Sequence, residues 1–213
     1  MAAVVALVIW ASGWTGGGGF GGNAMTPTST RTSTTVASTT VVRTTVTPTT
    51  VDTQVATLME RLPDVYRGNP SCAPASAIGA GVVAVVACTE ANSTHFRFRP
   101  PDQAVFHLFT DRAAQDAHFR ALVETNAIPR EDESGGCRPL TRPAHYALYY
   151  RSTEGPVPGE FTTCFASGGV GQVWWVDTRT STTGVLRSST ALDPDSLDQL
   201  GYWWNSMILT TMS

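Results

Sequence analysis

The stretch FTTCFASGGVGQVWWVDTRTSTTGVLRS, residues 161–188, decides the fold. It holds three runs rich in β-branched and aromatic residues: Phe161 to Ala166, Gly171 to Asp177 and Thr183 to Ser188. Runs of this length and composition, bounded by Gly and Ser, read as strands. The connections between them are short, and short connections join antiparallel neighbours, because a parallel return needs a long crossover. The stretch therefore predicts an antiparallel meander, with His145 to Arg151 as a further strand ahead of it.

Working outward toward the N-terminus, GVVAVVAC (Gly81 to Cys88) is a continuous apolar run of strand length, and AVFHLF (Ala104 to Phe109) is another. HFRFR (His95 to Arg99) alternates, placing Phe96 and Phe98 on one face and Arg97 and Arg99 on the other. Three helices are expected around these strands. Asp52 or Thr53 caps the first, which carries Val55, Leu58, Met59 and Leu62 on one face and stops at Pro63. Thr110 or Asp111 caps the second, running to about Thr125 with Ala114, Ala117, Ala121 and Leu122 near one face. The last begins at Asp193 with Pro194 in its first position and Asp195 complementing the helix dipole. Leu197, Leu200, Trp204 and Ile208 recur along it at helical spacing, so that face packs on the sheet. The fold class is α+β: one antiparallel sheet of about five or six strands with helices packed on one side.

The four cysteines, Cys72, Cys88, Cys137 and Cys164, show no C-x-x-C spacing, which leaves a zinc site without support. An even count behind an export-like start points to disulfides. Three connectivities are possible on paper. Nearness in sequence favours Cys72–Cys88 and Cys137–Cys164, each closing a loop worth roughly 3 kcal/mol in the chain-entropy account.

The chain divides into three parts. Residues 1–22 are an apolar segment, MAAVVALVIWASGW, followed by glycines. Its fourteen uncharged residues fall short of the roughly 20 that a membrane span needs. It is read either as part of a longer transmembrane helix whose start lies upstream, the preferred reading, or as a signal-like segment. Residues 23–53 are a Thr-rich tract with Pro27 and Pro48, too poor in large apolar side chains to offset its ordering entropy, and so a disordered stalk. Residues 54–213 are the globular, disulfide-bonded part. A net charge of −3, with fourteen Arg and no Lys, argues against nucleic acid as a partner, because that role needs a basic footprint.

Few residues stand out as site candidates. Trp174 and Trp175 are neighbours in a strand and point to opposite faces, and Trp203 lies about 100° around the last helix from Trp204. Large aromatics of this kind commonly cover the flank of a helix–sheet interface. Where one of each pair reaches the surface instead, it lines a groove for a sugar, peptide or lipid. Arg97 and Arg99 form a small basic stripe, either a solvated strand face or a holder for an anionic ligand. The candidate ligand-binding residues are thus Trp174, Trp175, Trp203, Arg97 and Arg99. His95, His107, His118 and His145 have no metal spacing, no G-x-S-x-G elbow is present, and Asp193, Asp195 and Asp198 are explained by helix capping. No catalytic residue, metal or cofactor is expected.

The string LMERLPDVYRGNPSCAPA (58–75), the Cys-ended strand VVAVVAC (82–88) and VFHLFTDRAAQDAHF (105–119), with the later Cys pair and a closing helix bearing Trp203-Trp204, resemble a known domain type. Over roughly Leu58 to Trp204 the chain is similar to the extracytoplasmic C-terminal domains of actinobacterial transmembrane Ser/Thr protein kinases and their stand-alone membrane-anchored relatives. The chain has no Gly-rich phosphate loop, no H-R-D and no D-F-G, so kinase activity does not carry over. The resemblance implies a sensor-like or binding role at the cell membrane. The expectation is a non-enzymatic, membrane-tethered extracytoplasmic domain whose partners are an envelope ligand or protein and, through the N-terminal segment, the membrane. A secreted or wall-associated enzyme with an unrecognised site, and a structural or adhesion module, are the alternatives.

Overall fold

The computed structural model describes residues 50–76, 79–92, 97–133, 135–151 and 155–211. They belong to one unit, Thr45–Ser213; the other, Met1–Thr44, lies outside the described residues, and with it the readings of an apolar anchor and of most of the stalk. The Thr-rich tract was expected to run to Thr53, but Thr50–Thr53 already form the first turn of a helix.

Three helices, α1 (Thr50–Glu60), α2 (Arg112–Thr125) and α3 (Pro194–Met207), accompany seven strands. The strands are β1 (Cys72–Ala75), β2 (Val82–Cys88), β3 (Gln103–Phe109), β4 (Tyr146–Leu148), β5 (Phe161–Ser167), β6 (Val170–Asp177) and β7 (Thr182–Ser188). They form a single sheet in the order β1-β2-β3-β7-β6-β5-β4, with every neighbouring pair antiparallel. The α+β class and the antiparallel meander hold. The strand count is seven, against the five or six expected. The addition is β1, a short, mostly exposed edge strand whose Pro74 removes one backbone donor, a substitution that an edge position tolerates. Of the predicted strand at His95 to Arg99, His95 and Phe96 lie outside the described residues, and Arg97 to Arg99 are loop.

Local chemistry accounts for the elements. Between β5 and β6 only Gly168 and Gly169 separate the paired residues Ser167 and Val170, and both glycines have positive φ (60° and 76°). A two-residue hairpin loop with both φ positive matches the twist of the flanking strands and strongly favours glycine. Asp111 caps α2 by accepting from Ala114 N at 2.9 Å. Asp193 caps α3 in a reciprocal box with Ser196, and Pro194 follows it.

The helices cover both faces of the sheet rather than one. On the first face, Leu58 and Leu62 from the α1 region and Leu197, Leu200 and Trp204 of α3 pack with Val86, Phe106, Val173, Trp175 and Leu186. On the second, Phe119 and Val123 of α2 pack with Val85, Val105, Trp174, Val176 and Val185. The buried stripe of α2 is Gln115, Phe119 and Val123; the alanine face expected there is mostly exposed. Ala buries too little area to orient a helix against Phe and Val, each worth about 1.5–3 kcal/mol when fully buried. Gln115 fixes α2 further, donating through Nε2 to Asp177 O (2.9 Å) and Thr182 O (2.7 Å) at the end of the β6–β7 hairpin. Disulfides join Cys72 to Cys88, directly opposite one another on β1 and β2, and Cys137, in the α2–β4 loop, to Cys164 of β5. Among the described residues, no helix is long and apolar enough to cross a membrane.

Candidate functional site

The tryptophans fill the helix–sheet interfaces, Trp174 under α2 and Trp175 and Trp203 on the α1/α3 face, so the alternative of a surface groove at them is absent. Trp174 is 6% exposed, Trp175 1% and Trp203 1%. Trp175 packs between Phe106 and Trp204 on the α1/α3 face, while Trp174 stacks on His107 on the α2 face. Trp203 sits against Tyr66, because the segment after α1 covers the flank of α3 that would otherwise face solvent. None of the three is available to line a surface groove.

Arg97 and Arg99 are exposed loop residues rather than a strand stripe. Arg97 lies over the Phe98 ring at 5.4 Å, and Phe98 in turn stacks on Tyr202 of α3 at 5.4 Å and 17°. Arg97 thus reaches the rim of the α3 surface. Arg99 acts on Asp102, whose carboxyl is held below its ordinary range chiefly by Ser189 N–H, then by the Ser189 hydroxyl.

The side chains that do converge on an open space lie elsewhere. A cleft of about 230 Å³ opens between α3, the Cys137 loop and the segment after β4. Asp198, Tyr202 and Asn205 share one side of α3, at i, i+4 and i+7, and line one wall. Arg138, Tyr150, Trp204 and Gly201 also line the cleft. Tyr150 is 58% exposed and Tyr202 50%, whereas the other large aromatics among the described residues are buried or half-buried. Gly201 is required by the bridge: a Cβ there would stand 2.7 Å from Cys137 Sγ, so only glycine lets the disulfide pack directly on α3.

Electrostatically the cleft is bipolar. Burial lifts the Asp198 carboxyl above its ordinary range, the nearby Arg138 charge draws it down, and Asp195 adds to the lift. Among the described residues, the Arg138 guanidinium donates only to the carbonyl of Cys137, at 3.4 Å. Trp204 Nε1, buried, has no hydrogen-bond partner among the described residues. On the far side of Arg138 a second depression of about 280 Å³ offers fewer free groups. There Arg142 is paired with Glu131, and the His145 ring lies between Pro143 O (2.8 Å) and Gly135 O (2.6 Å), which tethers the Cys137 loop.

Of the strongly shifted groups, Glu160 lies away from the cleft, whereas Tyr149 borders it with its hydroxyl engaged in a buried network, where it donates to Val176 O at 2.8 Å. Arg151 donates to Glu160 through Nε (2.5 Å) and Nη2 (3.0 Å), to Asp177 (2.7 Å) and to Tyr149 OH (3.0 Å), all three charged side chains being nearly or wholly buried. Burial raises the Glu160 carboxyl, but Arg151 and Thr178 outweigh it and hold the group below its ordinary range. Burial drives the Tyr149 hydroxyl well above the usual phenol range. Every member of the network has a partner, as a buried ion cluster requires. Among the described residues, no group of three or more His, Cys, Asp or Glu gathers to hold a metal ion.

Asp198 was read from sequence only as part of the helix cap, and Tyr202 only as a neighbour of the tryptophans. Arg138, Tyr150 and Asn205 carried no signal on their own. The readable sign was the Asp198–Tyr202–Asn205 stripe, polar and amphipathic, on the side of α3 away from Leu197 and Leu200. No protein family, no curated protein and no solved structure matches the chain.

Proposed function

We propose that this chain is a non-enzymatic, extracytoplasmic ligand-binding domain of sensor type, tethered through its N-terminal segment and Thr-rich stalk, and that it takes its ligand in the α3 cleft. The observation that carries the reading is the cleft itself. Two tyrosines, each at least half exposed, flank an acid and an amide on one helix, above a floor backed by a disulfide. Aromatic faces beside a few convergent polar groups are the ordinary composition of a small-molecule site. A binding role is favoured over catalysis because Glu160 is ion-paired in the interior and the Tyr149 hydroxyl, although Tyr149 borders the cleft, is held by Arg151 and Val176 O, so that no matched acid–base pair faces the opening among the described residues. Support for the compartment comes from the described cysteines, all of them bridged, since disulfides persist in oxidising surroundings. The likeness to kinase-associated extracytoplasmic domains points the same way.

The test combines two measurements on the full chain. Protein recovered from the cell envelope is mapped without reduction, and the purified chain is labelled at tyrosine with and without a low-molecular-mass envelope extract. The expected result is two bridges, Cys72–Cys88 and Cys137–Cys164, with Tyr150 and Tyr202 both losing reactivity in the extract. Free thiols in the native chain refute the compartment. Unchanged labelling at both tyrosines refutes the cleft as the binding site.

A further inference from the structure

The cleft carries two opposite charges that do not neutralise each other. Asp198 and Arg138 both line it, and the Arg138 charge is close enough to act on the Asp198 carboxyl. Yet no ion pair within 4.0 Å joins them among the described residues, and Asp198 accepts no hydrogen bond there. Among the described residues, the Arg138 guanidinium makes one long contact, to its neighbouring carbonyl. Among the described residues, Arg67, Arg112, Arg130, Arg142 and Arg151 are ion-paired with carboxylates, whereas Arg138, with a carboxylate lining the same cleft, is not. The open space at these two charges is the feature to explain.

We infer that the ligand is a small zwitterion, an amino acid or the free end of a short peptide, with its carboxylate on Arg138 and its ammonium on Asp198. The inference rests on the α3 cleft being the binding site. A neutral ligand would cover both charges without satisfying either, which costs binding when charged groups lose water. A ligand of one sign is attracted by one charge and repelled by the other. Only a molecule carrying both signs a short distance apart satisfies both. The guanidinium fork suits a carboxylate in a bidentate grip. An ammonium group beside Asp198 also lies near the half-exposed ring of Tyr202, one turn along α3, and aromatic rings attract cations. A volume of about 230 Å³ admits one or two small residues.

The experiment follows the indole N–H resonance of Trp204 in the full, disulfide-intact chain, assigned with Trp204→Phe. The probes are alanine and alanyl-alanine, each as the zwitterion, as the N-acetyl acid and as the C-terminal amide, with a neutral monosaccharide alongside. Both zwitterions, or one of them, are expected to bind at least about tenfold more tightly than the corresponding singly charged derivatives. Asp198→Asn is expected to abolish the preference over the N-acetyl acid, and Arg138→Gln the preference over the amide. A stronger response to alanine identifies a free amino acid, and a stronger response to alanyl-alanine a peptide end. Derivatives or the sugar binding as well as the zwitterions would overturn the ligand class and leave the cleft as a site. Silence from every probe would overturn the ligand class and count against the cleft as well. Asp198→Asn and Arg138→Gln replace groups that make no ion pair, so an unchanged spectrum in the unliganded variants separates lost binding from lost folding.

Discussion

Replacing His107 with Phe tests how the α2 face of the sheet responds to acid. His107 lies on β3 among aromatic neighbours: its ring is 6.1 Å from Trp174 at an interplanar angle of 13° and 5.1 Å from His118 on α2. Burial first, then the His118 charge, and to a lesser degree Arg187, push its pKa down from 6.5 to about 4, against a smaller upward pull from Thr183. His118 is displaced in the same direction by burial. Above pH 6.5 neither the folded nor the unfolded chain holds a proton at His107, and its contribution to stability is intact. As pH falls from 6.5 toward about 4 the unfolded chain takes up a proton that the fold refuses, and stability drops by about 1.4 kcal/mol per pH unit. Over that window the loss reaches roughly 3 kcal/mol, a large share of the ~5–15 kcal/mol that holds a domain of this size. The carboxylates held low, Asp102, Asp132 and Glu160, behave differently. Their contribution is present above the ordinary carboxylate range and lost only as pH falls through their lower folded values, so the upper part of the window belongs to the histidines. Phe keeps the ring against Trp174 and removes the titration. Urea midpoints at about pH 7.5 and about pH 4.5, with an unchanged m-value, give the comparison. The wild-type chain is expected to lose about 2–3 kcal/mol more than His107→Phe over that interval. Parallel pH dependence in the two proteins would refute the reasoning.

Gly201→Ala opposes two effects on α3: alanine favours a helix by about 1 kcal/mol over glycine, but the added Cβ would stand 2.7 Å from the bridged Cys137 Sγ. The sulfur is held by Cys164 and cannot move freely, so a net loss of about 1–3 kcal/mol is expected, read as a fall in melting temperature; a rise would show that the disulfide yields. In the buried network, Arg151→Met leaves the Glu160 and Asp177 carboxylates without their shared cation, whereas Glu160→Gln leaves Arg151 still paired with Asp177. Arg151→Met is expected to cost about 3–5 kcal/mol in denaturant unfolding and Glu160→Gln clearly less; the reverse order would mean that Glu160 alone holds the cluster.

What could be read from the residues is what local chemistry decides. The β5–β6–β7 meander follows from short glycine-rich connections, α3 from Asp193 and Pro194, and the Cys72–Cys88 pairing from two strand-flanking cysteines near in sequence. What could not be read depends on segments meeting from afar. Placing all helices on one side of the sheet made an exposed Trp174 plausible, because alternation alone sends it away from Trp175. Once α2 covers the second face, alternation sends both rings into cores. Which face α2 covers depends on the pairing of β3 with β7, which joins the two halves of the sheet across residues 110–181. No periodicity within either strand encodes that partnership. The cleft is assembled in the same non-local way. Arg138 follows the cysteine that bridges to β5, Asp198 sits on a helix that packs against that bridge at Gly201, and Tyr150 ends the shortest strand's extension. Each is an ordinary surface residue in its own segment. A pattern search along the chain sees an arginine after a cysteine and an aspartate near a helix cap; their meeting at one opening exists only after the Cys137–Cys164 loop closes on α3. Composition could therefore point to a bridged α+β domain, while the chemistry of its binding face had to come from tertiary contacts between residues that make no motif.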